Sequence, residues 1–314
     1  MEFEKVPTIP TADELIDRAL HRAAVAKKLK INKERADEEF VRAVYSSLYD
    51  KLDDSVKKFP TLEDLPQFYK DIVNVLFSID KMRKSLGALS WAGNQVRTVG
   101  TSYARQMRGA DDTRLLRKQA TARMASIVHQ VDSDLRYLNE ARNVLRKLPE
   151  ISEDFTVVVA GYPNVGKSSF IKLISSADPE IAGYAFTTKQ VVVGHRIIGR
   201  ERIQIVDTPG LLDRPLDERN YVEKQALAAI TNVADIILFI IDASESCGYS
   251  LSDQLHLLDK VREMTEGVPV EVVVNKSDMQ SLEGYPNMST TTEEGVDEVI
   301  SLILKYWESS PRLQ

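Results

Sequence analysis

Gly161-Tyr-Pro-Asn-Val-Gly166-Lys167-Ser168 has the spacing G-x-x-x-x-G-K-[ST]. It directly follows the apolar run Phe155–Ala160 and opens a stretch of helical pattern. In that context the glycines let backbone N–H groups turn inward on a phosphate, and the helix N-terminus adds its dipole. Gly161, Asn164, Val165, Gly166, Lys167, Ser168 and Ser169 are therefore expected to line a nucleotide. Lys167 would bridge the β- and γ-phosphates, and Ser168 would give its hydroxyl oxygen to Mg²⁺. The competing reading is a glycine-rich turn without a ligand, and the flanking strand and helix argue against it.

Three further motifs follow in order. Asp207-Thr-Pro-Gly210 ends the run Arg202–Val206, 39 residues after Ser168; Asp207 would hold Mg²⁺ through water, and the Gly210 N–H would sense the γ-phosphate. Asn275-Lys-Ser-Asp278 follows Val270–Val274. A carboxylate in the plane of the base accepts from N1–H and the 2-amino group of guanine, whereas adenine has neither donor there. Asp278 thus selects GTP and GDP over adenine nucleotides. Asn275 would tie this loop to the phosphate loop, and the stem of Lys276 would cover the base. Ser289-Thr290-Thr291 precedes the last helical pattern and would offer a backbone N–H to guanine O6. Between the first helix and the next strand, Ala185-Phe-Thr187-Thr188-Lys189 supplies a switch threonine, Thr188 with Thr187 as the alternative, whose hydroxyl could ligate Mg²⁺. Leu211 follows Gly210, where Ras-like GTPases carry the glutamine that orients the attacking water. An aliphatic side chain cannot do this, so slow intrinsic hydrolysis is expected. The position of Asn164 resembles that of the potassium-ligating asparagine of some related GTPases, which implies a K⁺ that neutralises phosphate charge; the other reading is an asparagine that stabilises the loop backbone.

The elements that position these residues divide near Pro149. Before it, apolar residues recur at three and four: Val41 to Phe59, Phe68 to Leu89, and Met124 to Leu138. Each stripe reads as one helical face, Thr11-Ala-Asp-Glu14 as a capping box, and the whole as a bundle of about four helices. Glycines at 87, 93, 100 and 109 weaken the pattern between Leu86 and Gly109. After Pro149, short β-branched runs at 155–160, 190–193, 202–206, 236–241 and 270–274 alternate with helical patterns near 167–175, 217–231, 252–265 and 294–307. Pro286–Ser289 would be a short final strand. The expected architecture is an α-helical bundle over 1–150, followed by an α/β P-loop domain over 151–314 with a mostly parallel sheet.

The net charge of −6 over 314 residues conceals an asymmetry. Residues 1–150 carry a net of +5 and residues 151–314 a net of −11. Within 81–123, ten basic residues face two acidic ones, with Trp91 and Tyr103 interleaved. Phosphate contact and base stacking are both available there, with Arg97, Arg105 and Arg108 as expected RNA contacts. A solvated charged face is the plainer reading of such a run. One cysteine, Cys247, excludes an intramolecular disulfide framework. The N-terminus lacks the apolar core of a signal peptide, and the longest run rich in apolar residues, 233–243, falls short of the roughly 20 residues of a membrane span. No membrane partner is expected.

The series GYPNVGKSS, YAFTTK, DTPGLLDRP and NKSD resembles the Obg-related branch of translation-factor GTPases. Within that branch, the domain order most resembles the archaeal form of the nucleolar GTP-binding protein family. The resemblance implies GTP hydrolysis coupled to assembly of the large ribosomal subunit, with its precursor rRNA as partner and a ribosomal or assembly protein as an activator. A cytoplasmic location is expected, since no basic extension for nuclear targeting is visible. Two other readings stay open: a GTPase regulating mature ribosomes or binding tRNA, and a nucleotide-gated protein-binding module.

Overall fold

The structure, a computed structural model, describes residues 3–28, 35–110, 112–148, 150–183, 190–207, 232–265 and 267–310. These form two compact units. One comprises residues 1–64 with 77–146, the other 65–76 with 147–314. The division is discontinuous in sequence, because helix α3 (Gln67–Leu76) packs in the second unit although it lies well before Pro149.

The first unit contains α1 (Ala12–Lys28), α2 (Ala36–Lys57), α4 (Ile79–Gln106), α5 (Thr113–Gln130) and α6 (Asp132–Leu145). It therefore has five described helices where about four were expected. Two stripes that read as single helices are broken. Phe68–Leu89 splits at Ser78, whose φ of 57° stops the chain between α3 and α4. Met124–Leu138 splits at Val131 between α5 and α6. The stripe survives each break because each helix buries its own face: Phe68 and Ile72 on α3, Met82 and Leu89 on α4. The capping box forms as expected, with Thr11 N–H donating to Glu14 Oε2 at 3.1 Å and Glu14 N–H to Thr11 Oγ1 at 3.4 Å.

The weak pattern between Leu86 and Gly109 conceals a continuous helix. Gly93 and Gly100 lie on the face of α4 that meets α2, where Tyr49 and Tyr45 pack. A Cβ at Gly100 would stand 2.4 Å from the Cβ and ring of Tyr45, at the fixed end of that side chain. Glycine replaces an apolar residue here because the two helices approach too closely for one. Gly100→Ala is expected to destabilise this unit by about 1–3 kcal/mol of overpacking, less the roughly 1 kcal/mol that alanine gains in helix propensity. Urea unfolding followed by circular dichroism checks this; a stabilised variant would contradict the close packing.

The second unit is a six-stranded sheet in the order β2 (Glu180–Gly183), β3 (Gln190–Ile198), β4 (Glu201–Asp207), β1 (Phe155–Ala160), β5 (Ile236–Asp242), β6 (Val270–Asn275). Pairings β4–β1, β1–β5 and β5–β6 are parallel; β2–β3 and β3–β4 are antiparallel. β1 and β5 are buried along their whole length, as continuous apolar runs in a parallel sheet require. Pro286–Ser289, expected as a strand, contributes only an isolated bridge between Asn287 and Val274 among the described residues. The described helices of this half are α7 (Lys167–Ile174), α8 (Leu251–Met264) and α9 (Val296–Glu308), together with α3. The helical pattern at 217–231 lies outside the described residues.

Candidate nucleotide site

Parallel strands place their carboxyl ends along one edge of a sheet, where α/β folds bind ligands. Here β1 runs into Gly161, β4 ends at Asp207, β5 at Asp242 and β6 at Asn275. The register sets Asp207 level with Val159 and Asp242 level with Asn275. Four strand ends that are far apart in sequence therefore converge at one edge.

The phosphate loop leaves β1 through Gly161, with φ of 132°, and enters α7 through Gly166, with φ of 103°. Both are conformations that side chains disfavour, and both are crowded. A Cβ would meet the Ile240 carbonyl oxygen at 2.4 Å from Gly161 and Asn275 Nδ2 at 2.1 Å from Gly166. Lys167 is 7% exposed. Its Nζ donates to the carbonyls of Gly161 at 2.9 Å and Tyr162 at 2.8 Å, which fixes the ammonium across the start of the loop. Ser168 and Ser169 are exposed at the first turn of α7. Ser168 Oγ donates to Asp207 Oδ2 at 2.6 Å. A hydroxyl and a carboxylate are the hard oxygen donors that Mg²⁺ takes beside phosphate oxygens and water, so this pair fits that ion. Asn164 has φ of 64°, is exposed, and makes no side-chain hydrogen bond among the described residues.

Asn275 is fully buried and joins the two ends of the site. Its Nδ2 donates to the Val165 carbonyl at 2.8 Å and to Thr290 Oγ1 at 3.2 Å, while its Oδ1 accepts from Thr290 N–H at 3.0 Å. The expected tie between base loop and phosphate loop is thus formed. It has a consequence for the Ser289 loop: Thr290 N–H is bonded to Asn275, and the N–H groups of Thr291 and Thr292 are bonded to Ser289 Oγ. The N–H expected to reach guanine O6 is turned inward in this form. Asp278 is exposed and has no partner among the described residues. Lys276, with φ of 60°, carries its Nζ to Asp242 Oδ2 at 2.7 Å and Ser246 Oγ at 2.8 Å, so its head is anchored at the end of β5.

No motif marks Asp242, yet this fully buried carboxylate organises the loop after β5. Besides Lys276 it accepts from Ser244 N–H and Oγ, from Ser246 Oγ, and from Cys247 N–H. Burial pushes its pKa up, but the hydrogen bonds from Lys276, Ser244 and Ser246 outweigh this and hold it below the ordinary carboxylate value. The available signal was a charged residue closing a run of six large apolar ones, Ile236–Ile241.

Thr187, Thr188, Gly210 and Leu211 lie outside the described residues. In the helical unit the basic run is partly neutralised. Arg117 pairs with Asp37 at 2.7 Å, Arg108 with Glu38 at 3.0 Å and Arg83 with Glu63 at 2.6 Å. Arg97 lies over the Tyr49 ring at 5.2 Å, and Arg105 is exposed with no ion pair among the described residues. Trp91 is 45% exposed, but Tyr103 is buried beneath Arg123 and offers no face for stacking. Among the described residues no helix is long and apolar enough to cross a membrane.

The strand order, the phosphate loop and the Asn275 brace define a P-loop GTPase domain preceded by an N-terminal helical domain. Residues 3–152 match the NOG1 N-terminal helical domain, and residues 156–276 match the 50S ribosome-binding GTPase family. An uncharacterised protein of Methanocaldococcus jannaschii is 43% identical over 288 residues, covering 88% of this chain and 81% of that protein. Nucleolar GTP-binding protein 1 of Drosophila melanogaster is 36% identical over 327 residues, covering 95% of this chain and 50% of that protein. A crystal structure of a nucleolar GTP-binding protein 1 from Plasmodium falciparum is 30% identical with a TM-score of 0.46, covering 51% of this chain and 90% of that one. The chain belongs to the nucleolar GTP-binding protein family. It spans about half the length of the curated nucleolar GTP-binding proteins it matches.

Proposed function

We propose that this chain is a guanine-nucleotide switch that hydrolyses GTP slowly on its own and docks through its helical domain on a maturing large ribosomal subunit. The observation that carries the nucleotide reading is the buried Asn275 amide, which braces the phosphate loop against the base loop and leaves the Asp278 carboxylate free at the surface to read guanine. Lys167 holds the β- and γ-phosphates from its fixed seat on the loop. Ser168 and Asp207 would hold Mg²⁺, which supplies charge neutralisation at the phosphates when bound. Asn164, with its amide unengaged among the described residues, could ligate K⁺ beside them. Thr188 and the Gly210 N–H would contact the γ-phosphate of GTP, and hydrolysis would end both contacts. With Leu211 in place of a water-orienting glutamine, the missing group comes from a partner, from RNA or from a cation.

Exposed Trp91, Arg97 and Arg105 along α4 support an RNA-facing surface. Cosedimentation with large-subunit particles tests this. Replacing Arg97 and Arg105 by alanine is expected to weaken binding and to lower the dependence on log salt by roughly one unit per lost phosphate contact. Arg108→Ala is expected to do less, because that side chain already pairs with Glu38. Unchanged binding and salt slope in the double variant would redirect the RNA contact elsewhere.

A further inference from the structure

Beyond the residues that touch nucleotide, we propose that Tyr249 is a positioning residue for the phosphate loop and that Asp242 and Gln254 anchor it. The Tyr249 ring stacks on Tyr162 with centroids 4.1 Å apart and planes 29° apart. Tyr162 is the second residue of the phosphate loop, and its carbonyl is one of the two that seat Lys167 Nζ. Anything that holds Tyr162 therefore holds the ammonium that meets the phosphates.

Tyr249 is in turn held from behind. Its carbonyl accepts from Gln254 Nε2 at 3.0 Å. Gln254, 1% exposed, donates from the same nitrogen to the Asp242 carbonyl at 2.9 Å and accepts from the Asp242 N–H at 2.8 Å through Oε1. The Asp242 carboxylate reaches Lys276 in the base motif. A continuous chain of contacts thus runs from the base loop through Lys276, Asp242, Gln254, Tyr249 and Tyr162 to Lys167. Asn275 braces one side of the nucleotide site, and this chain braces the other. A loop held on both sides has less freedom to lose when a diphosphate arrives.

This inference rests on the guanine-nucleotide reading above, and GDP binding by the wild-type protein is the control that separates the two. If wild type fails to bind GDP, the nucleotide reading fails. Aromatic pairs of this geometry predict that Tyr249→Ala raises the Kd for GDP roughly three- to tenfold. Competition assays should show the Kd for GMP unchanged, since GMP lacks the β-phosphate that the loop cradles. Tyr249→Phe keeps the stack and should restore wild-type GDP affinity. A purely structural role would lower GDP and GMP binding together, and that outcome would overturn the proposal, as would an unaltered GDP affinity in Tyr249→Ala. Gln254→Leu, which removes the bond to the Tyr249 carbonyl, should reproduce the GDP loss; because Gln254 is buried, the more exposed Tyr249 decides the question if that variant does not fold.

Discussion

Asp278→Asn is expected to lower the affinity for GDP by about a hundredfold, roughly 3 kcal/mol, and to create affinity for xanthosine diphosphate. On the proposed reading the carboxylate would accept two hydrogen bonds from guanine, one from N1–H and one from the 2-amino group. Asparagine keeps an acceptor for N1–H but sets an amide N–H₂ against the 2-amino group, donor against donor. Xanthine carries a carbonyl at that position and accepts from the new amide. The exposure of Asp278 makes the experiment clean, because no hydrogen bond among the described residues is lost with the charge. Titration of fluorescent GDP and xanthosine diphosphate against both proteins checks it. Equal GDP affinity in the variant would mean that another group reads the base.

Lys167→Ala should have a still larger effect on GTP. On the same reading its ammonium would interact with two phosphates, and the loss of that charge-assisted contact is expected to cost about 4 kcal/mol, or roughly a thousandfold in Kd. Lys167→Arg should not rescue binding. The planar guanidinium cannot take the compact seat between the Gly161 and Tyr162 carbonyls that a rotating ammonium occupies. Guanosine, which has no phosphate, should bind wild type and both variants alike. That comparison separates a phosphate contact from general damage to the fold, since removing the amine also strands two carbonyls.

The difference in physical character between local and distant constraints explains what the sequence made legible. The phosphate loop, the Asp207 strand end and Asn275–Asp278 each combine a fixed spacing with a flanking apolar run, so motif and position are read together. The sheet was legible for the same reason, except for β2, whose residues EIAG are too short and too weakly apolar to stand out, for β3, which runs past 193 to Ile198, and for Pro286–Ser289, which forms only a bridge. Helix periodicity gave the apolar faces of α3 and α4 but not the break at Ser78, because a stripe keeps its spacing across a tight turn. Nor could it assign α3 to the second unit: periodicity says that a face is buried, not by what. The glycines of α4 looked like interruptions because a sequence does not show the tyrosines across the helix pair. Charge counting made the 81–123 run look uniformly available, whereas Asp37 and Glu38, distant in sequence, take Arg117 and Arg108. Asp242 had no motif at all, since its partners are mainly backbone N–H groups and serines of its own loop.

Single-turnover GTP hydrolysis by the purified protein, with and without large-subunit precursor particles, tests the central claim of a partner-dependent switch most directly. Alone, the rate should be on the order of 10⁻⁴ to 10⁻² per second, and the particles should raise it by at least tenfold. Hydrolysis at several per second without any partner, or a rate that the particles leave unchanged, would contradict the account.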